Sequence, residues 1–180
     1  MSEKFADEVG EDDTVGFWKQ SRKDKRRIFD MKRQKEKLGG GFKCSHCATF
    51  VPINQEMGTA HRNHCNQCLW SKHVDEKTSG DRQSICQAGM EPIGITLKHE
   101  GLDKYGHEKL GDVMLVHRCT GCDKCVINRV AADDPSDTIV SIFDKSQVLP
   151  QDIKDRLQKE GIDLITTDQR PMVQERLYGK

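Results

Sequence analysis

The sequence is short of what builds a large apolar core or a membrane span. Only 34% of its 180 residues are hydrophobic, 6% are aromatic, and the mean hydropathy is −0.75. No apolar run approaches the roughly 18 residues that a membrane-spanning helix needs. The opening stretch, MSEKFADEVGEDD, has neither the basic nor the apolar region of a secretory signal. These absences lead to the expectation of a soluble, intracellular, cytoplasmic protein with no membrane partner. The length suits one domain, or one small domain with extensions. So little apolar mass leaves part of the stabilisation to something other than burial.

The sequence does have eight cysteines and seven histidines. In a reducing compartment cysteines in number point to metal rather than to disulfides. All eight lie between residues 44 and 125. The first pair is Cys44-Ser45-His46-Cys47 and the second is Cys65-Asn66-Gln67-Cys68. A Cys-x2-Cys turn lets two sulfurs face one ion, and two such turns complete the tetrahedron that Zn2+ prefers. Cys44, Cys47, Cys65 and Cys68 are therefore expected to hold one structural zinc. The third pair, Cys119-Thr120-Gly121-Cys122, has no fourth pair to match it, because Cys86 stands alone. Cys86, Cys119 and Cys122 make three ligands of a second zinc site. His73, before a turn at Ser79-Gly80-Asp81, is favoured as the fourth. His117, which shares a strand face with Cys119, His99 and Cys125 are the alternatives.

The formal net charge is zero, with 29 Lys plus Arg against 29 Asp plus Glu, but the charge is unevenly spread. Residues 1–13 hold six acids and one lysine, net −5. Residues 18–37 hold ten basic groups and three acids, net +7. The expected organisation is an acidic disordered tail over 1–13, a basic helix and Gly linker over 14–41, a zinc-binding body over 42–143, and a helical extension over 144–180. The basic stretch is rich in good helix formers, and Gly39-Gly40-Gly41 ends it. Within the body, β-like runs are expected at Phe42–Lys43, Ala48–Val51, Pro92–Lys98, Val113–Arg118, Val126–Ala131 and Thr138–Phe143. Two C-terminal helices are expected. The first covers about residues 150–160 between Pro150 and Gly161, with Ile153 and Leu157 as an i, i+4 apolar pair. The second covers about 169–178, capped by Thr167 or Asp168. The fold class is thus a small, mixed, β-rich, zinc-ribbon-like domain with a basic N-terminal helix and short C-terminal helices.

The run GTAHRNHCNQCLWSKHVDEKTSGDRQSICQAGMEPI, from Gly58, resembles the RNHCP domain family. The later VHRCTGC and NRVAADD runs fit the same family. The likeness covers about residues 42–143. It implies a small zinc-ribbon-like protein and no particular reaction. Asn66 stands where the family motif ends in proline, and Cys125 falls where no ligand is expected, which favours Cys119 and Cys122 as the metal pair.

For function, the basic segment points to RNA. Arg22, Lys23, Arg26, Arg27, Lys32 and Arg33 could track phosphates and release counterions. Together with a metal-stapled body, this suggests a ribosomal or ribosome-associated RNA-binding protein. An alternative is a metal-dependent nuclease of the HNH type, with His61, His64, His73 and Asp75 as base and metal ligands. Against it, the expected Asp-His pair followed by a helix bearing Asn and His is missing. A further alternative is a protein-interaction adaptor anchored by Phe17, Trp18 and Phe29.

Overall fold

The structure, a computed structural model, describes residues 40–52, 62–78, 80–102 and 104–179. The expected acidic tail and basic helix, with all six candidate RNA-contacting residues, lie outside the described residues, as do Phe17, Trp18, Phe29 and His61. What is described belongs almost wholly to one unit, Phe42–Lys180.

Its frame is a long hairpin of β4 (Gly89–Leu102) and β5 (Glu108–Cys119). Short β3 (Ser71–Lys72) and β6 (Cys125–Arg129) flank it, giving an antiparallel sheet in the order β3-β4-β5-β6. A separate two-stranded sheet pairs β1 (Gly41–Lys43) with β2 (Phe50–Pro52). Ile93–Leu97 and Val113–His117 are buried without alternation. Consecutive burial of this kind means that both faces of a sheet are covered.

Three helices follow, and they share the sheet's cores. On one face, Ile95, Leu97, Val113 and Leu115 meet Ile139, Ile142 and Phe143 of α1 (Ser136–Ser146), Ile165, and Val173 of α3 (Arg170–Tyr178). On the other, Ile93, Val116 and Cys125 meet Ile153 and Leu157 of α2 (Gln151–Lys159). Ile93 and Ile95 are two apart yet serve opposite faces. The register shift between Pro92 and Gly94 inserts Ile93 as an extra residue and reverses the alternation. Gly94 is needed there, since a Cβ would lie 2.6 Å from Leu164 Cδ2 and 3.2 Å from Ser146 Cβ. The chain at Asp163–Ile165 closes the β4 edge: Ile165 N–H donates to Ile95 O at 3.0 Å, and Thr96 Oγ1 donates to Asp163 O. Covering an edge in this way blocks pairing with other chains.

The expected strand at Thr138–Phe143 is instead the middle of α1. The run looks β-like, but Ile139, Ile142, Phe143 and Ser146 recur at helical spacing and are the buried residues. Ser71–Lys72 pairs with Gly89–Met90, a strand too short to show a sequence pattern. The two C-terminal helices stand where they were expected, and Ile153 and Leu157 do pack together. The cap of the second lies one residue early. Thr166 caps a 3-10 turn (Thr167–Gln169) through a reciprocal pair with Gln169, and the helix runs on from it. Among the described residues, no helix is long and apolar enough to cross a membrane.

Phe143 is fully buried in the larger core. Phe143→Ala should lower stability by about 3–5 kcal/mol, read as a shift of the urea midpoint with little change in slope.

Candidate metal centres

Three Cys-x2-Cys turns are built alike. In each, the residue after the second cysteine has a left-handed backbone: Ala48 at φ 60, Leu69 at φ 59 and Asp123 at φ 61. Its N–H bonds back to the first cysteine's carbonyl, at 3.1, 2.9 and 3.1 Å respectively. The first cysteine's N–H is in turn held at 2.9 Å by the carbonyl of Thr49, Trp70 or Lys124. Inside each turn a backbone N–H points at the first sulfur: His46 at 3.4 Å, Gln67 at 3.3 Å and Gly121 at 3.4 Å. Donors aimed at sulfur stabilise thiolate, the form that ligates metal.

The first two turns face each other. Cys44 Sγ is 3.7 Å from Cys68 Sγ, Cys47 Sγ is 3.6 Å from Cys65 Sγ, and all four sulfurs lie within 4.8 Å of one another. Val51, fully buried, packs against them with Phe42. The rings of His46 and Trp70 stack at 4.0 Å and 5°, joining one turn to the other. Bonds from Thr49, through side chain and backbone, pull the Cys47 thiol down to about 6. Burial pushes Cys65 and Cys68 up. Without a cation, sulfurs this crowded cannot all be thiolates. Cys44, Cys47, Cys65 and Cys68 would hold a cation as thiolates, and the donor set suits zinc.

The third turn completes the second cluster, His73, Cys86, Cys119 and Cys122, again within 4.8 Å. Cys86 Sγ is 3.6 Å from Cys119 Sγ, and His73 Nδ1 is 3.3 Å from Cys122 Sγ. Gly121 is the one residue that fits this turn, because a Cβ there would lie 2.8 Å from Ala88 Cβ and 3.2 Å from Cys86 Sγ. Burial lowers the His73 pKa and favours the neutral, ligating imidazole. His73 N–H bonds to Ala88 O at 2.9 Å. The loop from His73 to Cys86 is wound on two carboxylates. Asp81 accepts N–H groups of Glu76, Lys77, Thr78 and Gln83, and Asp75 accepts those of Gly80 and Arg82. These amide bonds hold the Asp81 carboxyl well below the usual carboxylate range.

The geometry also separates His73 from its three alternatives. His117 is fully buried, its Nε2 donating to Leu69 O at 2.7 Å and its Nδ1 accepting from Asn128 Nδ2 at 3.0 Å. Burial holds its pKa down at about 4. His99 is exposed on β4, and Cys125 is buried among Ile93, Val116 and Leu157. None of the three joins a cluster.

Sequence reading alone did not find how the motifs interlock. Arg62, its side chain wholly buried, pairs with Asp133 and reaches Asp134 at 3.4 Å. His64 Nε2 is 2.7 Å from Asp134, which also accepts Ala131 N–H at 2.7 Å. Asn63 accepts Ser71 Oγ–H on its carbonyl and Arg82 on its side chain. Asn66, in the place of the motif's proline, donates to Asp133 at 3.1 Å. The one available signal was electrostatic: an Arg-x-His run and an Asp-Asp run in separate motifs, each needing a partner if buried.

The chain is thus a β-rich domain with two sulfur clusters compatible with zinc. It belongs to the RNHCP domain family, whose model matches residues 39–140. No curated protein and no solved structure matches it.

Two predictions follow from the geometry. Cys65→Ser and His73→Ala should each remove one of two bound metal equivalents, measured by elemental analysis of the purified chain. Arg62→Ala leaves the Asp134 carboxylate buried without its cation and should cost about 3–5 kcal/mol in chemical denaturation at constant zinc.

Proposed function

We propose that this protein is a zinc-stabilised binding module that contacts RNA, ribosomal or ribosome-associated, through its basic segment. The observation that carries the binding-module reading is that each cluster offers four protein ligands. A zinc with four protein ligands is a structural site, whereas a catalytic one keeps a position open for water. The organisation proposed is a basic arm over 14–41 attached to a metal-stapled body. The net +7 of residues 18–37 supports RNA as the partner. Eight unpaired cysteines suit a reducing compartment such as the cytoplasm.

Of the four groups named for the nuclease reading, His61 lies outside the described residues and the other three are engaged elsewhere. His73 faces Cys122, His64 is committed to Asp134, and Asp75 accepts loop amides. The adaptor reading rests on aromatic residues outside the described part and gains nothing here.

Binding of a structured RNA should weaken steeply with salt. With six phosphate contacts, log affinity against log salt should have a slope of about −4 on single-stranded segments. Fluorescence anisotropy on the full chain should show this, and exchanging Arg22, Lys23, Arg26, Arg27, Lys32 and Arg33 for glutamine should flatten the slope. Equal affinity of the exchanged chain would overturn the RNA assignment.

A further inference from the structure

The two clusters differ in access. In the first, Cys44 and Cys65 are buried and Cys47 and Cys68 are half-buried, under the cover of Val51 and Phe42. In the second, Cys119 is fully buried, Cys86 is half-buried, and Cys122 is exposed. Its neighbours Thr120 and Gly121 are exposed as well. Oxidation of cysteine follows thiolate character and exposure together. A coordinated sulfur is held as thiolate at neutral pH. Among the eight ligands Cys122 alone is exposed; the others are buried or half-buried.

We propose that the His73, Cys86, Cys119 and Cys122 cluster is an oxidant-sensitive site. Peroxide enters through Cys122, the site closes into a disulfide and gives up its ion, and the first cluster keeps its own. This rests on the reading that both clusters hold zinc.

The chemistry balances. The Cys122 thiolate attacks one oxygen of hydrogen peroxide; an S–O bond forms, the O–O bond breaks, and hydroxide leaves. A second thiolate, Cys86 or Cys119, attacks the oxidised sulfur; an S–S bond forms, the S–O bond breaks, and a second hydroxide leaves. The two thiolates lose two electrons and the peroxide gains them, ending as water once both hydroxides are protonated. The partners are within reach, since all four ligand atoms lie within 4.8 Å of one another. After the disulfide forms, His73 and one thiolate remain, too few to hold the ion. The fold around the site has its own support. The loop from Val74 to Ser84 is wound on Asp75 and Asp81 and closed by Ser84 N–H on Val74 O at 3.0 Å. No ligand of the second cluster belongs to the larger apolar core.

The test uses the full chain loaded with zinc and counted by elemental analysis. Fewer than two equivalents before any oxidant overturns the two-zinc reading itself. With two bound, hydrogen peroxide is added, released zinc is followed with a chromophoric indicator, and disulfides are mapped by peptide mass. The expected result is release of one equivalent, with a disulfide from Cys122 to Cys86 or Cys119, and rebinding after thiol reduction. No release, release of both equivalents together, or oxidation mapping first to Cys44, Cys47, Cys65, Cys68 or Cys125 would overturn the proposal.

Discussion

Four sulfurs packed within 4.8 Å cannot all be thiolates unless a cation shares their charge. The structure around Cys44, Cys47, Cys65 and Cys68 depends on this constraint. β1 and β2 have three residues each, and a pair that short has no stability of its own in water. Its apolar support is Val51, Phe42 and the cysteines themselves. Binding of zinc to a small site contributes about 10–16 kcal/mol of folding free energy in isolated peptides, comparable to the whole net stability of a domain, about 5–15 kcal/mol. In a chain with mean hydropathy −0.75, zinc held by these four sulfurs would supply much of what folds the lobe carrying residues 41–52.

The two clusters are anchored by polar contacts, most of them buried, rather than by more apolar surface. Cys65 lies between His64 and Asn66, and both bond to the Asp133–Asp134 pair. Asp134 leads into α1, whose Ile139 and Phe143 fill the main core. Leu69, one residue past Cys68, is buried in the same core, and its carbonyl accepts the His117 proton. His117 lies two residues before Cys119, a ligand of the second cluster. A few contacts therefore tie the first cluster to the core and the core to the second. The His64–Asp134 and His117–Leu69 contacts are buried with their partners in place, the arrangement in which losing one partner costs most.

Much of this was legible in the sequence, and the reason is chemical. Cysteine spacing fixes which sulfurs can share an ion, so the first cluster could be read from Cys44, Cys47, Cys65 and Cys68 alone. The second was harder because Cys86 has no paired cysteine. Choosing among His73, His117, His99 and Cys125 needed the sheet register, which brings β3 beside β4 and so His73 beside Ala88. Thr138–Phe143 misled because an apolar run rich in β-branched residues has the composition of a strand. Only the 3.6-residue spacing of its buried members shows the helix. Arg62, His64, Asp133 and Asp134 could be read as motif residues but not as partners, since some 70 residues separate them and local pattern carries no information over that span.

The same geometry explains how a site can be both structural and reactive. Closing four ligands around an ion removes the open position that hydrolytic chemistry needs, yet it keeps each sulfur in the nucleophilic form. Whether that nucleophile matters then depends on solvent access, and the fold assigns access unequally. The first cluster is covered because β1 and β2 wrap it. The second sits at the end of β4 and β5, and its last ligand, Cys122, lies in the turn between β5 and β6, where Gly121 is required by the closeness of Cys86. A side chain at 121 is excluded by the packing of Ala88 and Cys86. The turn that packs Gly121 against Cys86 leaves Cys122 exposed while Cys119 is buried and Cys86 half-buried, so one ligand of the cluster meets solvent.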